Sequence, residues 1–304
     1  MFFSRCIVSG LVLAISLAAR GAETPLVFTV TCDPRGNDDV FREVLSAVRD
    51  RAGGMGAFHV TVGDVDPPAP LRAVVDDLFG RDAVWYPGVG NHDTETPDNM
   101  AWLRAEFRTG NGARTPLMRR VTRRGPLGTD ATTYSWDQGP AHFVMLNVYW
   151  DGDTSEHADE SLMMGTVMPP LRQWLAADLA ASTQAVSFVF THEPAFPQHR
   201  HIGDSLDHDA ASRDAFWQVL ETNRVAALIA GHTHVYSRYR PEGSRVWQAD
   251  VGNAGRDPID DGQTFLRVTV TVTNVLYDVW RGAGETFRRA ARWQEAVPRP
   301  RPSP

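Results

Sequence analysis

The chain has 304 residues, and all 30 of its basic residues are arginine, because the sequence contains no lysine. Without lysine there is no P-loop nucleotide site and no Schiff-base chemistry on a protein amine. The 37 acidic residues give a net charge of -7, which argues against a general nucleic-acid binder. The length permits one large domain or two small ones, with ample material for a core.

Residues 1–22 have the pattern of a secretory signal peptide. Arg5 precedes an uncharged apolar run, Ile7–Ala19, and small residues follow at Ala19–Ala22. The run is shorter than the roughly 20 residues that span a bilayer, although an uncleaved anchor is the alternative. We therefore expect export to a periplasm or the medium, with no stable membrane insertion after cleavage. The mature chain would keep only Cys32, which predicts a buried thiol and no disulfide.

Beyond the leader, apolar runs of strand length alternate with helical patterns. Strands are predicted, in chain order, at Leu26–Cys32, Phe58–Val62, Ala83–Tyr86, His142–Val148, Val186–Phe190 and Val225–Ala230. Helices are predicted between them at Asp38–Arg51, Leu71–Phe79, Pro169–Ala181 and Ala210–Asn223, whereas Arg104–Thr129 and Trp150–Met168 have the composition of loops. Val246–Trp280 has strand alternation without helices. These patterns predict one α/β domain over residues 23–295 and a disordered Arg/Pro tail over 296–304.

Polar residues follow five of the predicted strands. These groups are Asp33, Gly63-Asp64, Gly90-Asn91-His92-Asp93, His192 and Gly231-His232-Thr233-His234. In α/β sheets, ligands bind at the carboxyl ends of strands. A mixture of carboxylate, amide and imidazole donors suits iron, manganese or zinc. The sequence therefore predicts a transition-metal site at this edge of the sheet.

The five groups, in this order, resemble the blocks of the calcineurin-like metallophosphoesterase superfamily, with similarity to its purple acid phosphatase-like and phosphodiesterase branches. The resemblance extends from about Leu26 to Trp280. It implies a four-layer α-β-β-α sandwich, in which two mixed β-sheets are flanked by helices. It also implies one or two divalent or trivalent metals and hydrolysis of a phosphomonoester or phosphodiester.

The resemblance also implies roles for individual residues. Asp64 would bridge two metals, Asp33 and His234 would bind the first, and the second would be completed by Asn91, His192 and His232. His92 would assist the leaving group, and Asp93 would orient its imidazole. Gly252-Asn253-Ala254-Gly255 is similar to a turn that faces the metals in this family, with glycine allowing close backbone approach. His199, His201 and His208 lie in a loop that could shape the substrate mouth.

The sequence departs from the family pattern at Arg35, where a histidine or glutamine ligand is usual. A guanidinium has no lone pair for a metal. Three outcomes are open: a weakly bound first metal, a mononuclear site in which Arg35 clamps phosphate, or an Arg35 that points away while Asn37 or Asp38 replaces the ligand. We favour the weakened first site. Pro67 also stands where the family often has a carboxylate or asparagine, a position that is not a metal ligand.

Two functions follow. The leading hypothesis is an exported metal-dependent phosphoesterase that acts on a small phosphate ester, with Arg35 and Asn91 as candidate substrate contacts. The alternative is a metal-bound periplasmic binding or scaffold protein whose turnover is weak or lost because of Arg35. Retention of Asn91, His92 and Asp93 favours the enzyme. Nothing in the sequence indicates the oligomeric state.

Overall fold

Two mixed β-sheets face each other in the computed structural model, which describes residues 24–110, 115–154, 164–256 and 262–297. The predicted signal peptide, 1–22, lies outside the described residues. The strands are β1 Leu26–Thr31, β2 His59–Thr61, β3 Trp85–Pro87, β4 Arg123–Arg124, β5 Tyr134–Gln138, β6 Ala141–Met145, β7 Val186–Phe190, β8 Ala227–Ala230, β9 Tyr236–Tyr239, β10 Trp247–Val251, β11 Gln263–Val270, β12 Asn274–Gly282 and β13 Arg288–Ala296.

The helices are α1 Asp38–Asp50, α2 Pro68–Phe79, α3 Asn91–Thr94, α4 Pro97–Arg108, α5 Pro169–Ala181 and α6 Ala210–Thr222, with 3-10 turns at Leu117–Arg120, Leu206–His208 and Gly284–Thr286. Proline opens α2, α4 and α5, at the position where its missing N–H costs nothing. The Asp209 side chain caps α6 by accepting hydrogen bonds from two backbone N–H groups.

The first sheet has the strand order β13-β12-β11-β1-β2-β3, and the second has the order β4-β5-β6-β7-β8-β10-β9. Strands β1, β2 and β3 are parallel to one another, as are β6, β7, β8 and β10, and the outer strands are antiparallel. Helices flank both sheets, so the predicted four-layer α/β sandwich is confirmed. The carboxyl ends of the parallel strands meet at one edge of the sandwich.

Alternation along the strands separates the two faces of each sheet. In β7, Phe188 and Phe190 face the interior between the sheets, whereas Val189 belongs to the cluster that packs against the helices. Phe28 of β1 contacts both phenylalanines at ring distances of 5.3 and 6.4 Å. An aromatic core therefore joins the sheets, and it fixes the edge at which the polar strand ends meet.

The structure corrects several sequence-based expectations. The segment predicted to begin a loop at Arg104 starts inside α4, whose buried face carries Met100, Leu103 and Phe107. Strands β5 and β13 were not predicted. Ala296, which was assigned to the disordered tail, is the last residue of β13 and pairs with Asn274 of β12. Residues 298–304 lie outside the described part of the chain. No helix within the described residues is long and apolar enough to cross a membrane.

The buried imidazole of His59 predicts a pH-dependent stability. Its ring nitrogens lie 2.8 Å from the hydroxyls of Thr29 and Thr31, and burial lowers the pKa of His59 to about 3. The unfolded chain titrates near pH 6.5, so between these values the unfolded state binds the proton and the folded state does not. The free energy of unfolding should therefore fall by about 1.4 kcal/mol per pH unit on acidification.

Denaturant unfolding of the metal-free protein measures this effect. The contribution of His59 to stability is the free energy of unfolding of the wild type minus that of His59→Gln. This difference should shrink as the pH falls from about 6.5 to about 4. The exposed His199 gives the matched control, because His199→Ala should follow the wild-type curve. Parallel curves for wild type and His59→Gln would contradict the prediction.

Candidate metal centre

Four polar residues at the strand ends have left-handed backbone conformations that only glycine adopts freely. Their φ values are 54° at Asp33, 51° at Asp64, 69° at His232 and 59° at His234. Such conformations cost on the order of 1–3 kcal/mol each and concentrate at functional sites. The backbone is therefore bent at these positions so that their side chains turn toward one point.

Glycines let the strand ends approach each other. A Cβ atom at Gly63 would clash with the His192 ring, and one at Gly90 would clash with the Asp64 carboxylate. Gly63 brings the two sheets together at the site, because it follows β2 of the first sheet and His192 follows β7 of the second, whereas Gly90 brings together the ends of β3 and β2 within the first sheet. At Gly63 and Gly90, glycine is therefore needed because a larger residue would not fit, and not only because glycine permits a turn.

The two aspartates lie at the centre of the cluster. Asp33 Oδ2 accepts a hydrogen bond of 3.0 Å from the His232 N–H, and Asp64 Oδ1 accepts one of 3.1 Å from the His92 N–H. Asp33 Oδ1 lies 3.8 Å from His192 Nε2 and 3.6 Å from His234 Nε2. His192 Nε2 is also 3.5 Å from Asp64 Oδ1, so one imidazole nitrogen faces both carboxylates.

The orientation of His192 is fixed by its other nitrogen. His192 Nδ1 lies 2.9 Å from the Val62 carbonyl oxygen, and because a carbonyl only accepts, Nδ1 carries the hydrogen. The lone pair is then on Nε2, which points toward the aspartates. A metal-binding histidine is commonly held this way, with its second nitrogen donating to a backbone carbonyl.

Among the described residues, four buried atoms of the cluster that could ligate a metal have no hydrogen-bond partner: Asp33 Oδ1, Asn91 Oδ1, His192 Nε2 and His232 Nε2. A buried polar atom without a partner costs about 1–3 kcal/mol. Carboxylate, amide and imidazole lone pairs that face one point suit a transition-metal cation. The residues present therefore fit a metal centre.

The electrostatics agree with this fit. Burial and the neighbouring histidine charges lower the pKa of His232 to about 2, so its imidazole is neutral and available as a ligand. Burial raises the pKa of Asp64, and the negative charge of Asp33 raises it further. The pKa of Asp33 is lowered: burial acts to raise it, but the neighbouring imidazoles of His234 and His192 outweigh that effect. Two buried carboxylates side by side favour a bound cation.

An open cleft of about 100 Å³ gives access to the cluster. It is lined by Asp33, Arg35, Asn37, Asp64, His92, His234, Asn253 and Arg256. The ligand atoms are thus reached from a mouth that carries two arginines. Arg256 pairs with Asp39 at this rim, and Arg35 pairs with Asp66 and Glu95.

Cys32 lies beside the cluster, and its sulfur, Asp33 and His192 offer ligand atoms within 4.8 Å of one another. However, the sulfur approaches His192 on its Nδ1 side, at 3.8 Å, where the ring already donates to Val62. Burial raises the pKa of the Cys32 thiol well above its usual value, and the Asp33 charge adds to this effect. We therefore place the metal on the Nε2 side, with Cys32 as a buried thiol.

Sequence comparison identifies the family. Residues 26–236 match the family model described as calcineurin-like phosphoesterase.

The chain belongs to the calcineurin-like phosphoesterase family.

Two solved structures show the same fold. The structure of PhoD has a TM-score of 0.60 at 13% identity, covering 91% of this chain and 71% of PhoD. GAP50, described as the anchor in the inner membrane complex of Plasmodium, has a TM-score of 0.58 at 9% identity, covering 91% of this chain and 90% of GAP50. No curated protein matches the sequence significantly. At these identities the structural likeness shows the fold alone.

In this calcineurin-like phosphoesterase, five of the six residues that sequence analysis selected as ligands lie in one cluster: Asp33, Asp64, His192, His232 and His234. The sixth, Asn91, follows β3, and its buried Oδ1 is without a hydrogen-bond partner. The predicted turn at 252–255 also faces the cluster, since Asn253 lines the cleft and a Cβ at Gly255 would clash with the Asp33 carbonyl. The ligand roles themselves remain predictions.

Arg35 lines the cleft, but its guanidinium pairs with carboxylates outside the cluster. Its Nε lies 3.3 Å from Asp66 and its Nη2 lies 3.3 Å from Glu95. Of the two replacement ligands considered, Asn37 lines the cleft, and its amide donates to the Arg35 carbonyl. The contacts of Arg35 thus match the outcome in which it forms salt bridges, and it offers no lone pair to a first metal.

The expectation that Asp93 orients the His92 imidazole is wrong. The two Asp93 oxygens accept hydrogen bonds from the backbone N–H groups of Val65 and Gly90, so the carboxylate caps α3 and anchors the loop after β2. Burial and the nearby Asp64 charge raise the pKa of Asp93 well above its usual value. His92 Nδ1 instead lies 2.8 Å from Glu95 Oε1, a residue that sequence analysis missed.

Of the three loop histidines, His201 reaches the cluster. Its ring lies 4.1 Å from that of His232, centroid to centroid, and is tilted by 30°. His201 Nδ1 is 3.1 Å from Asp204, so both neighbours hold the ring in place. His201 thus covers one face of a candidate ligand.

Substitution of His192 tests the metal centre. His192→Ala removes the nitrogen that faces both aspartates, and we expect metal affinity to fall by at least about tenfold, the cost of losing even an outer-shell partner of a ligand. Titration calorimetry of the metal-free protein with zinc or manganese measures this change. His199→Ala, in the loop that follows, should bind like the wild type; equal affinity of the two variants would contradict the assignment.

Arg35 predicts unequal metal sites. After prolonged chelation and gel filtration, we expect elemental analysis to find one tightly held ion per chain, with a second that exchanges, because Arg35 contributes no lone pair. Arg35→His supplies an imidazole at the same position and should increase retention of the second ion. Two ions retained by the wild type would contradict this prediction.

Proposed function

We propose that this protein is a metal-dependent phosphoesterase that hydrolyses a phosphomonoester or a phosphodiester. The observation that carries the proposal is the set of four buried ligand atoms that lack hydrogen-bond partners within the described residues, together with the cleft that Asp33 and Asp64 line. Membership of the calcineurin-like phosphoesterase family supports the same chemistry.

In this proposal Asp64 would bridge two metals, Asp33 and His234 would hold the first, and Asn91, His192 and His232 would complete the second. When bound, such metals bind a phosphate oxygen and lower the pKa of water. The chain itself keeps His192 oriented through the Val62 carbonyl and keeps His232 neutral through burial. The ligands are therefore arranged before a cation arrives.

His92 is the proposed acid for the leaving group. It lines the cleft, its backbone N–H is bonded to Asp64, and its Nε2 lies 4.0 Å from Asp64 Oδ2. The imidazole therefore lies beside the metal-binding carboxylate, where a leaving oxygen would separate from phosphorus. Proton donation at that oxygen contributes typically ~10²–10⁴-fold to the rate of such reactions.

The cleft supports a small phosphate ester as substrate. Its volume of about 100 Å³ suits a phosphoryl group, and Arg35 and Arg256 place positive charge at the mouth. Both arginines also pair with carboxylates, which limits the positive field available to a polyanion. With the net charge of -7, this arrangement favours a small ester over a nucleic acid.

Arg35 supports a second candidate function, a metal-bound binding or scaffold protein with weak or lost turnover. The substitution leaves the first metal without a usual ligand, and GAP50, a protein of similar fold, is described as an anchor. The enzyme is favoured because His92 lines the cleft, its backbone N–H donates to Asp64, and its imidazole Nδ1 lies 2.8 Å from Glu95 Oε1.

We also propose that the protein is exported. The support is the leader pattern of residues 1–22, with Arg5 before an uncharged apolar run. N-terminal sequencing of protein recovered from the periplasm or medium tests this, and an intact Met1 in cytosolic protein would contradict it.

Hydrolysis of p-nitrophenyl phosphate and bis-p-nitrophenyl phosphate distinguishes the two functions. The protein should be stripped of metal, reconstituted separately with manganese, zinc, iron or cobalt, and assayed with each ester. Activity that returns with a metal supports the phosphoesterase, and the preferred ester identifies the class. Metal binding without hydrolysis in every case would favour the scaffold.

His92→Ala provides the mechanistic test. We expect kcat to fall by about 100-fold or more, because the proton donor is lost, while metal content stays at the wild-type level. His199→Ala is the control and should keep full activity. Loss of metal from His92→Ala in parallel with activity would assign His92 a structural role instead.

A further inference from the structure

We propose that Glu95 is the positioning residue for the His92 imidazole and that Arg35 fixes Glu95 in place. The inference rests on the proposed phosphoesterase function, and it assigns a role to two residues that lie outside the metal ligands. Glu95 follows helix α3 directly and is three residues beyond His92, so the two side chains lie on one face of the same turn.

A continuous series of contacts leads from α4 to the imidazole. Asn99 Nδ2 donates to Asp66 Oδ1 at 2.6 Å, and Asp66 Oδ2 accepts from Arg35 Nε at 3.3 Å. Arg35 Nη2 donates to Glu95 Oε2 at 3.3 Å, and Glu95 Oε1 lies 2.8 Å from His92 Nδ1. Each carboxylate in the series uses one oxygen for each neighbour. The series therefore fixes the Glu95 carboxylate from both sides.

The contact determines which His92 nitrogen can act in the cleft. A carboxylate accepts only, so the hydrogen between the two groups is on His92 Nδ1. The other nitrogen, Nε2, faces Asp64 and the cleft. The proton that His92 gives away is consequently the one on Nε2.

In this step His92 transfers one proton to the leaving group. A water oxygen forms the new bond to phosphorus and loses a proton to solvent, while the bond from phosphorus to the leaving oxygen breaks. The leaving oxygen keeps that electron pair and takes the Nε2 proton of His92. The imidazole is then neutral, with its remaining hydrogen on Nδ1 toward Glu95, and Nε2 is reprotonated from solvent.

Glu95 is exposed, so its carboxylate needs a partner such as Arg35 to keep one orientation. The side chains of Glu95 and Arg35 are 54% and 43% exposed, and exposed ion pairs contribute little to stability. Their loss should therefore affect the orientation of His92 far more than the folding of the chain. Asp93 cannot replace Glu95, since both of its oxygens accept from backbone N–H groups.

The test compares good and poor leaving groups. A positioned acid matters most when the leaving oxygen is basic, so Glu95→Gln should reduce kcat for phenyl phosphate by about tenfold or more and kcat for p-nitrophenyl phosphate much less. KM, metal content and the thermal midpoint should stay at wild-type values. Glu242→Gln, at an exposed glutamate, is the matched control and should change neither substrate.

Arg35 is tested by a double-variant cycle. If Arg35 acts through Glu95, then Arg35→Gln should produce the same leaving-group dependence, and the double variant should be no worse than Glu95→Gln alone. Equal loss of kcat for both esters, or independent effects of the two substitutions, would overturn the proposal.

A readout without turnover separates this inference from the proposed function. In the metal-free protein, long-range ¹H–¹⁵N correlation spectra report which His92 nitrogen carries hydrogen. We expect the Nδ1–H form in the wild type and in Glu242→Gln, and a mixture of tautomers in Glu95→Ala. The same tautomer in all three would overturn the role of Glu95, even if the wild type hydrolysed neither ester.

Discussion

The site depends on two buried carboxylates, Asp33 and Asp64, that face the same imidazole nitrogen of His192. In a desolvated position they repel each other, and the ligand atoms around them have no hydrogen-bond partner within the described residues. A cation removes both penalties at once. A metal would account for three other features of the site: the bent strand ends, the glycines that let the strands approach, and the neutral imidazole of His232.

The fold provides this arrangement through the direction of its strands. Parallel strands in both sheets end at one edge of the sandwich, and the aromatic core around Phe28 holds the sheets in register. The four left-handed residues bend the backbone at this edge, where Asp33, Asp64 and His234 line the cleft. Strain in the backbone at these positions is offset by packing elsewhere in the chain. The packed core thus stabilises the fold enough to keep the strained backbone at the site.

The sequence alone predicted the α/β class, six of the strands and the polar groups at strand ends, because alternation and apolar run length are local properties. It missed α4, whose arginines obscured the apolar face of Met100, Leu103 and Phe107. It also assigned the wrong partner to His92. Gly90 and Asp93 have the spacing of a capping box, which could have indicated that Asp93 is occupied. The contact between Arg35 and Glu95 spans 60 residues, and no local pattern reports such a distance.

Arg35 departs from the family pattern, and the structure shows which residues it contacts. Its guanidinium has no lone pair, so Arg35 cannot act as a metal ligand at the position where the family pattern usually has one. As a cation it lies between Asp66 and Glu95, two carboxylates that would otherwise add negative charge to a site that already holds Asp33 and Asp64. In the proposed mechanism, weaker binding of a first metal and a fixed Glu95 would therefore have the same cause. The lost ligand position would be exchanged for a permanent positive charge beside His92, the group proposed to donate the proton.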